Sequence, residues 1–387
     1  MRSKKIILCF VPYYLPGFKS GGVARSVKNF VENFGDEFNI KIICNDRDIN
    51  SINSYKKVRI DQWNKVGKAQ VFYASKKTIS FFGLINFLKI NSFDIVLLNS
   101  FFSPGFTVLP LILRLFGFFK NKKCIISTRG ELTQGALRIK KLKKFFFIIL
   151  LKKILYFELY WQVSSKYELL DIKKNIGNIA KNKYIFTDFI SENSLLHDNL
   201  KRSKNKKLRI IFLSRISPIK NLHFLINVLS SITKPLDFSI YGNKEDFNYW
   251  IHCKKLCAKL PSNINIFFGK EINYKKVCEF FKRNDLFVFP SKGENFGHVV
   301  AESLSVGTCV IVSDKTPWKT KFPAIKAISL KKKLWISEIN KWMNLKNKDF
   351  EKRRYLAIKQ FLIIKKQNLR IKKKLKNLIY DLIPNEI

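Results

Sequence analysis

Short apolar runs alternate with helix-length stretches along this chain, stop once in a polar interval, and then begin again. In the first half, strand-like runs fall at 5–11, 39–44, 94–99, 123–128 and 160–164, with helical patterns at 23–34, 81–90 and 137–159. The runs are apolar almost throughout, not at every second position. That pattern requires strands buried on both faces, hence a parallel sheet covered by helices on either side. The alternation breaks at 191–207, a polar stretch rich in Asn and Lys, and resumes with strands at 208–214, 237–241, 263–268, 285–290 and 308–312 and helices at 222–231, 274–282 and 297–306. The expected fold is α/β: two doubly wound, Rossmann-like domains, 1–190 and 208–345, joined by a linker at 191–207 and facing each other across a cleft. Strand signals end near 336, and 346–387 reads as a basic helical tail.

The charge balance narrows the partners. With 73 Lys and Arg against 28 Asp and Glu, the chain carries +45, a field that attracts phosphorylated substrates, anionic lipid or nucleic acid. No nucleic-acid motif accompanies it, and most Phe residues fall at core-like positions, so no specific nucleic acid is expected. The abundance of Lys, Asn, Ile and Phe also fits a genomic bias. Of the seven cysteines, Cys9, Cys44, Cys124 and Cys309 lie inside apolar runs, where a thiol acts as a small hydrophobe. Cys253 and Cys257 lack zinc-type partners, so neither a metal nor another cofactor is expected and a reducing compartment is. The windows 106–119 and 145–151 are too short or too charged to span a bilayer, and the first residues show no cleavage site.

The most informative spacing follows the run Asp285-Leu-Phe-Val-Phe-Pro290. Glu294 falls in the loop at this strand's carboxyl end, and Glu302 lies eight positions later, about one and a half turns into the next helix. Open parallel sheets bind ligands at that edge, and ionised carboxylates accept hydroxyls of a sugar or a ribose. The segment resembles the E-x7-E motif of the family 4 retaining glycosyltransferases of GT-B fold. Its neighbours agree: Gly293-Glu-Asn-Phe-Gly-His298, Ala301-Glu-Ser-Leu-Ser-Val-Gly307 and Val310-Ile-Val-Ser-Asp-Lys-Thr-Pro-Trp318. They look most like the branch that builds bacterial surface polysaccharides. The resemblance implies that Glu302 binds the donor ribose, that Glu294 binds the transferred sugar, and that Asn295, Phe296, Gly297 and His298 line the donor. It also implies that the last helix crosses back to the first domain.

Other segments fit the same reading. In Ser214-Arg-Ile-Ser-Pro-Ile-Lys-Asn221, Arg215 and Lys220 resemble the family's diphosphate-holding pair: a bidentate donor and a point charge ahead of a helix N-terminus. Such a pair needs no metal to balance a leaving nucleoside diphosphate. Gly21-Gly22 links the first strand and helix, where family members let backbone approach the donor or the acceptor; Gly22 is the donor-side residue. Thr128-Arg-Gly-Glu131 occupies the strand end where many members have a histidine. Arg129, counted with Glu294, Arg215 and Lys220 among the catalytic candidates, and Glu131 would hold the acceptor, or else form a structural pair. Asp46-Arg-Asp48 has the D-x-D form of a metal motif but lies in the first domain, so coincidence is the better account. Thr316-Pro-Trp318 reads as a helix start, with Trp318 used for packing.

In 137–153, Arg138, Lys140, Lys141, Lys143 and Lys144 abut an aromatic and aliphatic block, a combination suited to an anionic membrane surface. The resemblance thus implies a cytoplasmic enzyme, peripheral at the inner face of the plasma membrane. It would transfer a hexose-type sugar, with retention, from a UDP or GDP donor to a polyprenyl-diphosphate-linked saccharide in O-antigen or capsule synthesis. The alternatives are a GT-B nucleotide-sugar epimerase or phosphorylase, and a basic nucleic-acid-binding protein.

Overall fold

The computed structural model describes residues 4–17, 19–138, 140–191, 207–273, 276–319 and 323–383. The chain divides into two compact units: unit 1 comprises 1–192 and 368–387, and unit 2 comprises 193–367. The expected linker, 191–207, lies outside the described residues except for its two ends.

Unit 1 begins with β1 (Ile6–Phe10), α1 (Gly22–Phe34), β2 (Asn39–Asn45), β3 (Trp63–Val66), β4 (Ala69–Ala74), α2 (Phe81–Ile90) and β5 (Ile95–Leu98). A π-helical segment, Pro104–Val108, leads into α3 (Leu109–Leu115). Then follow β6 (Lys123–Ser127), α4 (Gln134–Arg138), α5 (Lys141–Leu155), β7 (Tyr160–Val163), α6 (Lys166–Asn175) and β8 (Asn182–Ile185). The strands form one sheet in the order β3-β4-β2-β1-β5-β6-β7-β8, parallel except for the β3–β4 hairpin. Each face has its own core. Val27, Phe30 and Phe34 of α1 bury one face together with Leu375, Ile379 and Leu382 from the end of the chain. Leu84 and Leu88 of α2, Leu111 of α3, Ile148 of α5 and Ile172 of α6 bury the other.

Unit 2 contains β9 (Leu208–Leu213), α7 (Leu222–Leu229), β10 (Leu236–Tyr241), α8 (Phe247–Cys257), β11 (Ile264–Phe268) and α9 (Val277–Arg283). It continues with β12 (Leu286–Phe289), α10 (His298–Ser305), β13 (Cys309–Ser313), β14 (Ile325–Ile328) and α11 (Lys332–Met343). Its sheet is wholly parallel, in the order β11-β10-β9-β12-β13-β14. The last helix, α12 (Asn347–Leu382), starts in unit 2 and belongs to unit 1 from Asn368 onward.

Two local expectations are corrected, and part of a third lies outside the described residues. The helix at 137–159 is two helices: Lys140 takes a left-handed backbone (φ 55°) that ends α4 and starts α5, and Tyr156 closes α5 early. Thr316-Pro-Trp318 starts no helix among the described residues; Thr316 turns back on Ser313 and the chain then enters β14. The first part of the helix expected at 274–282, 274–275, lies outside the described residues; α9 runs from Val277. The cysteines of β1, β2, β6 and β13 are buried free thiols, and burial pushes Cys9, Cys124 and Cys309 up to about 12.

Candidate functional site

In unit 2 the two central strands, β9 and β12, are neighbours, and the chain leaves them in opposite directions, β10 lying beyond β9 and β13 beyond β12. This is the switch point at which an open α/β sheet leaves a crevice at its carboxyl edge. The loop after β9 carries Arg215 and Lys220, and the loop after β12 carries Glu294. Their backbones are stitched together: Lys292 N–H donates to Ile219 O at 2.8 Å, Asn221 Nδ2 donates to Pro290 O at 3.1 Å, and the Ser313 hydroxyl holds Ser291 O from β13.

These bonds bring two predicted residues into contact. Lys220 Nζ donates to Glu294 Oε2 at 2.5 Å and lies 5.4 Å from the Phe289 ring centre, and the two side chains are only 8% and 17% exposed. Arg215 is turned instead to Glu245, in an ion pair that is open to solvent. The amide nitrogen of Ile216 donates to Asn243 O at 2.7 Å, which fixes the backbone that carries Arg215. Two buried polar atoms beside Lys220, Ser217 Oγ and Asn221 Oδ1, have no hydrogen-bond partner. His223, in the first turn of α7, is held at Nδ1 by the Tyr249 hydroxyl at 2.8 Å. Burial first, then Lys292 and His252, lower its pKa, so the ring is neutral at pH 7.

Gly297 precedes α10 with φ 81°, a left-handed conformation; a Cβ there would stand 3.0 Å from Glu294 Cγ and 3.2 Å from Trp318 Nε1. Glycine is required by both backbone and space. Trp318 packs on Phe296, with ring centres 5.4 Å apart, and its indole N–H donates to Phe296 O. His298 is buried with its ring 4.9 Å from that of Phe296. Asn295 and Glu302 are half-buried, and Glu302 lies on the second turn of α10.

At the carboxyl edge of the unit 1 sheet, Gly22 opens α1 and is exposed. Arg129 follows β6 with φ 51°. Its Nη1 meets Asp188 Oδ1 at 2.5 Å, and its Nε and Nη2 donate to Asn99 Oδ1 at 3.2 and 2.7 Å. Asp188 also accepts from the Ser26 hydroxyl at 2.7 Å. Glu131 does not pair with Arg129. It accepts from Ser100 Oγ and from the amide nitrogens of Phe101 and Phe102 at 2.8–2.9 Å, closing the loop after β5. Asp46 is taken up by Arg47, and Asp48 accepts the amide nitrogens of Lys19 and Ile49. Among the described residues no group of three or more His, Cys, Asp or Glu is placed to hold a metal.

Glu245, Asp188, Asn99 and Ser26 were not among the sequence candidates. Glu245, Asp188 and Asn99 lie in connections and Ser26 on α1, and each pairs with a residue 30 or more positions away, which no short motif encodes. On α5 the apolar side chains Leu142, Phe145, Phe146, Ile149, Leu150 and Ile154 are exposed. Lys144, by contrast, turns inward to Ala136 O and the Phe102 ring.

Residues 197–320 match the family model of the glycosyl transferases group 1. The match includes Arg215, Lys220, Glu294 and Glu302. Among curated proteins, an uncharacterised 41.2 kDa protein in the cps region of Klebsiella pneumoniae is 25% identical over 305 residues, 76% of this chain and 78% of its own. Among solved structures, sucrose-phosphate synthase from Thermosynechococcus elongatus superposes with a TM-score of 0.74 at 13% identity, covering 98% of this chain and 99% of its own. HepE of Anabaena, solved with UDP and glucose, gives 0.70 at 12% identity over 97% and 100%. At these identities the likeness shows the fold, which is GT-B. Together with the family match it supports a glycosyltransferase.

Proposed function

We propose that this chain is a retaining glycosyltransferase that moves a hexose-type sugar from a nucleoside-diphosphate donor to a polyprenyl-diphosphate-linked saccharide in surface-polysaccharide assembly. The observation that carries the reading is the Lys220–Glu294 contact at the switch point of unit 2, inside the segment that matches the family. A cation and a carboxylate held side by side at a sheet's carboxyl edge can separate onto the two halves of one ligand, Lys220 to a phosphate and Glu294 to a sugar hydroxyl. The relative in a cps region and the UDP complex of HepE favour a capsule-type product and a UDP donor; GDP is the other candidate.

In this reading Arg215, released from Glu245, grips the diphosphate with Lys220, the Ser217 hydroxyl donates to it, and Glu302 takes the ribose. Asn295, Phe296, Gly297 and His298 wall the donor, Gly22 is the unit 1 residue assigned to it, and Arg129 and Glu131 order the acceptor. The donor C1–O bond breaks on the same face on which the acceptor oxygen bonds to C1, and the acceptor proton passes to the departing diphosphate. Two cations and the α7 N-terminus offset the charge that leaves, so no metal enters. The enzyme works at the cytoplasmic membrane face, where Arg138 at the end of α4, Lys140 at the break, and Lys141 and Lys143 of α5 meet anionic lipid. Among the described residues no helix is long and apolar enough to cross a membrane.

The test is a thermal-shift screen with UDP, GDP, ADP and their sugars in EDTA, on wild type and Glu302→Ala. One nucleotide at a hundredfold excess over its Kd should add about 2.7 kcal/mol to the wild type and far less to the variant. Equal shifts in both proteins would remove Glu302 from the donor site, and no shift with any nucleotide would sink the reading.

A further inference from the structure

The helices on one face of the unit 1 sheet carry far more exposed apolar surface than α5 alone. Of the twenty-seven large hydrophobic side chains exposed among the described residues, fifteen fall between Phe81 and Leu170, the stretch that supplies α2, α3, α5 and α6. On the opposite face, α1 and the unit 1 part of α12 expose only Leu369 and Tyr380. Scattered surface hydrophobes need no explanation, but this concentration on one layer does.

The exposed side chains are linked across the layer. Helix α3 packs against both α2 and α5. The Phe81 ring at the start of α2 meets Phe116 after α3, with centres 6.2 Å apart, and Arg114 lies 5.6 Å from the Phe157 ring after α5. Phe82 and Phe116 are 76% and 69% exposed, so a second aromatic site stands beside the α5 block. Residues 76–174 hold eighteen Lys and Arg against five Asp and Glu. Two copies of such a face would repel each other, whereas an anionic bilayer complements both its charge and its grease.

We infer that unit 1 docks on anionic lipid through this whole helical layer, with Phe82 and Phe116 as a second insertion site that α5 alone does not supply. This rests on the membrane-bound reading above and adds an orientation to it. The layer lies flat, so the unit 1 sheet runs parallel to the bilayer and its carboxyl edge, with Gly22 and Arg129, stands about one helix diameter (~10–12 Å) above the headgroups. An acceptor anchored in lipid then has to present its reacting hydroxyl at that height, beyond its diphosphate.

The experiment is co-sedimentation of the full chain with phosphatidylglycerol-containing vesicles and with neutral phosphatidylcholine vesicles. Wild type is compared with Phe82→Glu/Phe116→Glu and with Phe247→Glu, a control at an exposed site on unit 2. The double variant should bind anionic vesicles about tenfold or more weakly, the control like wild type, and neither should change the thermal shift given by the nucleotide. Unchanged binding by the double variant would confine docking to α5 and overturn the inference, as would wild type that ignores anionic vesicles. A wild-type dimer that the double variant splits, seen by sedimentation equilibrium, would assign the layer to a second copy. A missing nucleotide shift in wild type would defeat the donor reading while leaving the vesicle result standing.

Discussion

The Lys220–Glu294 pair can be tested without any substrate. Both side chains are largely withdrawn from water, 2.5 Å apart, with the ammonium also facing Phe289. Removing one partner of such a pair leaves the other charge desolvated, at a cost of about 3–5 kcal/mol for full burial. Glu294 keeps some solvent, so Lys220→Met should lie near the lower end, about 3 kcal/mol. For a unit the size of unit 2 that lowers the midpoint of its thermal transition by about 6–12 °C. Glu294→Gln should cost less, about 1–2 kcal/mol, because the amide oxygen still accepts from the ammonium. A double-mutant cycle on urea unfolding of Lys220→Met, Glu294→Gln and the double variant then reads their coupling, which should exceed 1 kcal/mol. Repeated with saturating UDP-sugar, the cycle should give a smaller coupling, since each partner then faces a different part of the ligand. Additive single variants in the empty protein would refute the burial argument. Coupling that is unchanged by a donor known to bind would refute the exchange of partners.

Gly297→Ala forces a side chain into a left-handed position and against Glu294, so it should cost about 1–2 kcal/mol and weaken donor binding more than Val299→Ala, both read by thermal shift with and without nucleotide. Arg129→Ala takes the guanidinium from the buried Asp188 carboxylate, whose second oxygen keeps the Ser26 hydroxyl, a loss of about 3 kcal/mol in the unit 1 transition; Arg129→Lys should restore part of it, lacking the fork that also reaches Asn99. Asp285 is fully buried, and burial raises its carboxyl above the usual value despite its bonds to Arg209. A raised folded pKa gives stability that is present below the unfolded value, about 4, and is lost as pH rises through the folded one; Asp285→Asn should flatten that acid-side slope in denaturant titrations.

Much of the fold was legible because buried parallel strands must be apolar on both faces. β1, β2, β5, β6, β9, β12 and β13 fall where continuous apolar runs stand in the sequence, and all pack inside a sheet. Of the strands that escaped notice, β4 is interior and largely buried, its apolar run broken by the exposed Gln70, while the other three lie at sheet edges. β3 is half exposed, β8 reads Asn-Lys-Tyr-Ile, and β14 has the pattern Ile-Lys-Ala-Ile; one-sided burial needs no apolar run. The break in the 137–159 helix was hidden for another reason. A lysine in a left-handed conformation has no sequence signature, since glycine is the residue expected there.

The unit 2 loops were legible for a reason that does not extend to unit 1. Arg215, Lys220 and Glu294 follow adjacent strands, so their side chains reach the same edge whatever else surrounds them. Arg129 also follows a strand, and by chemistry it is as good a phosphate ligand as Arg215. What separates them is the company each keeps. Arg215 is held by one exposed carboxylate, which water already screens and an anion can replace at little cost. Arg129 is almost enclosed, with its donors committed to Asn99 and Asp188, and pulling it toward a ligand would take the paired cation from a buried carboxylate. An acceptor that engages Arg129 must therefore do so with the Asp188 contact intact, through an edge of the guanidinium or through the Gly130 backbone that Arg129 positions. Variants at Asp188 should then disturb acceptor affinity as strongly as variants at Arg129, whereas Glu245 variants, which only free Arg215, should leave donor affinity equal or tighter.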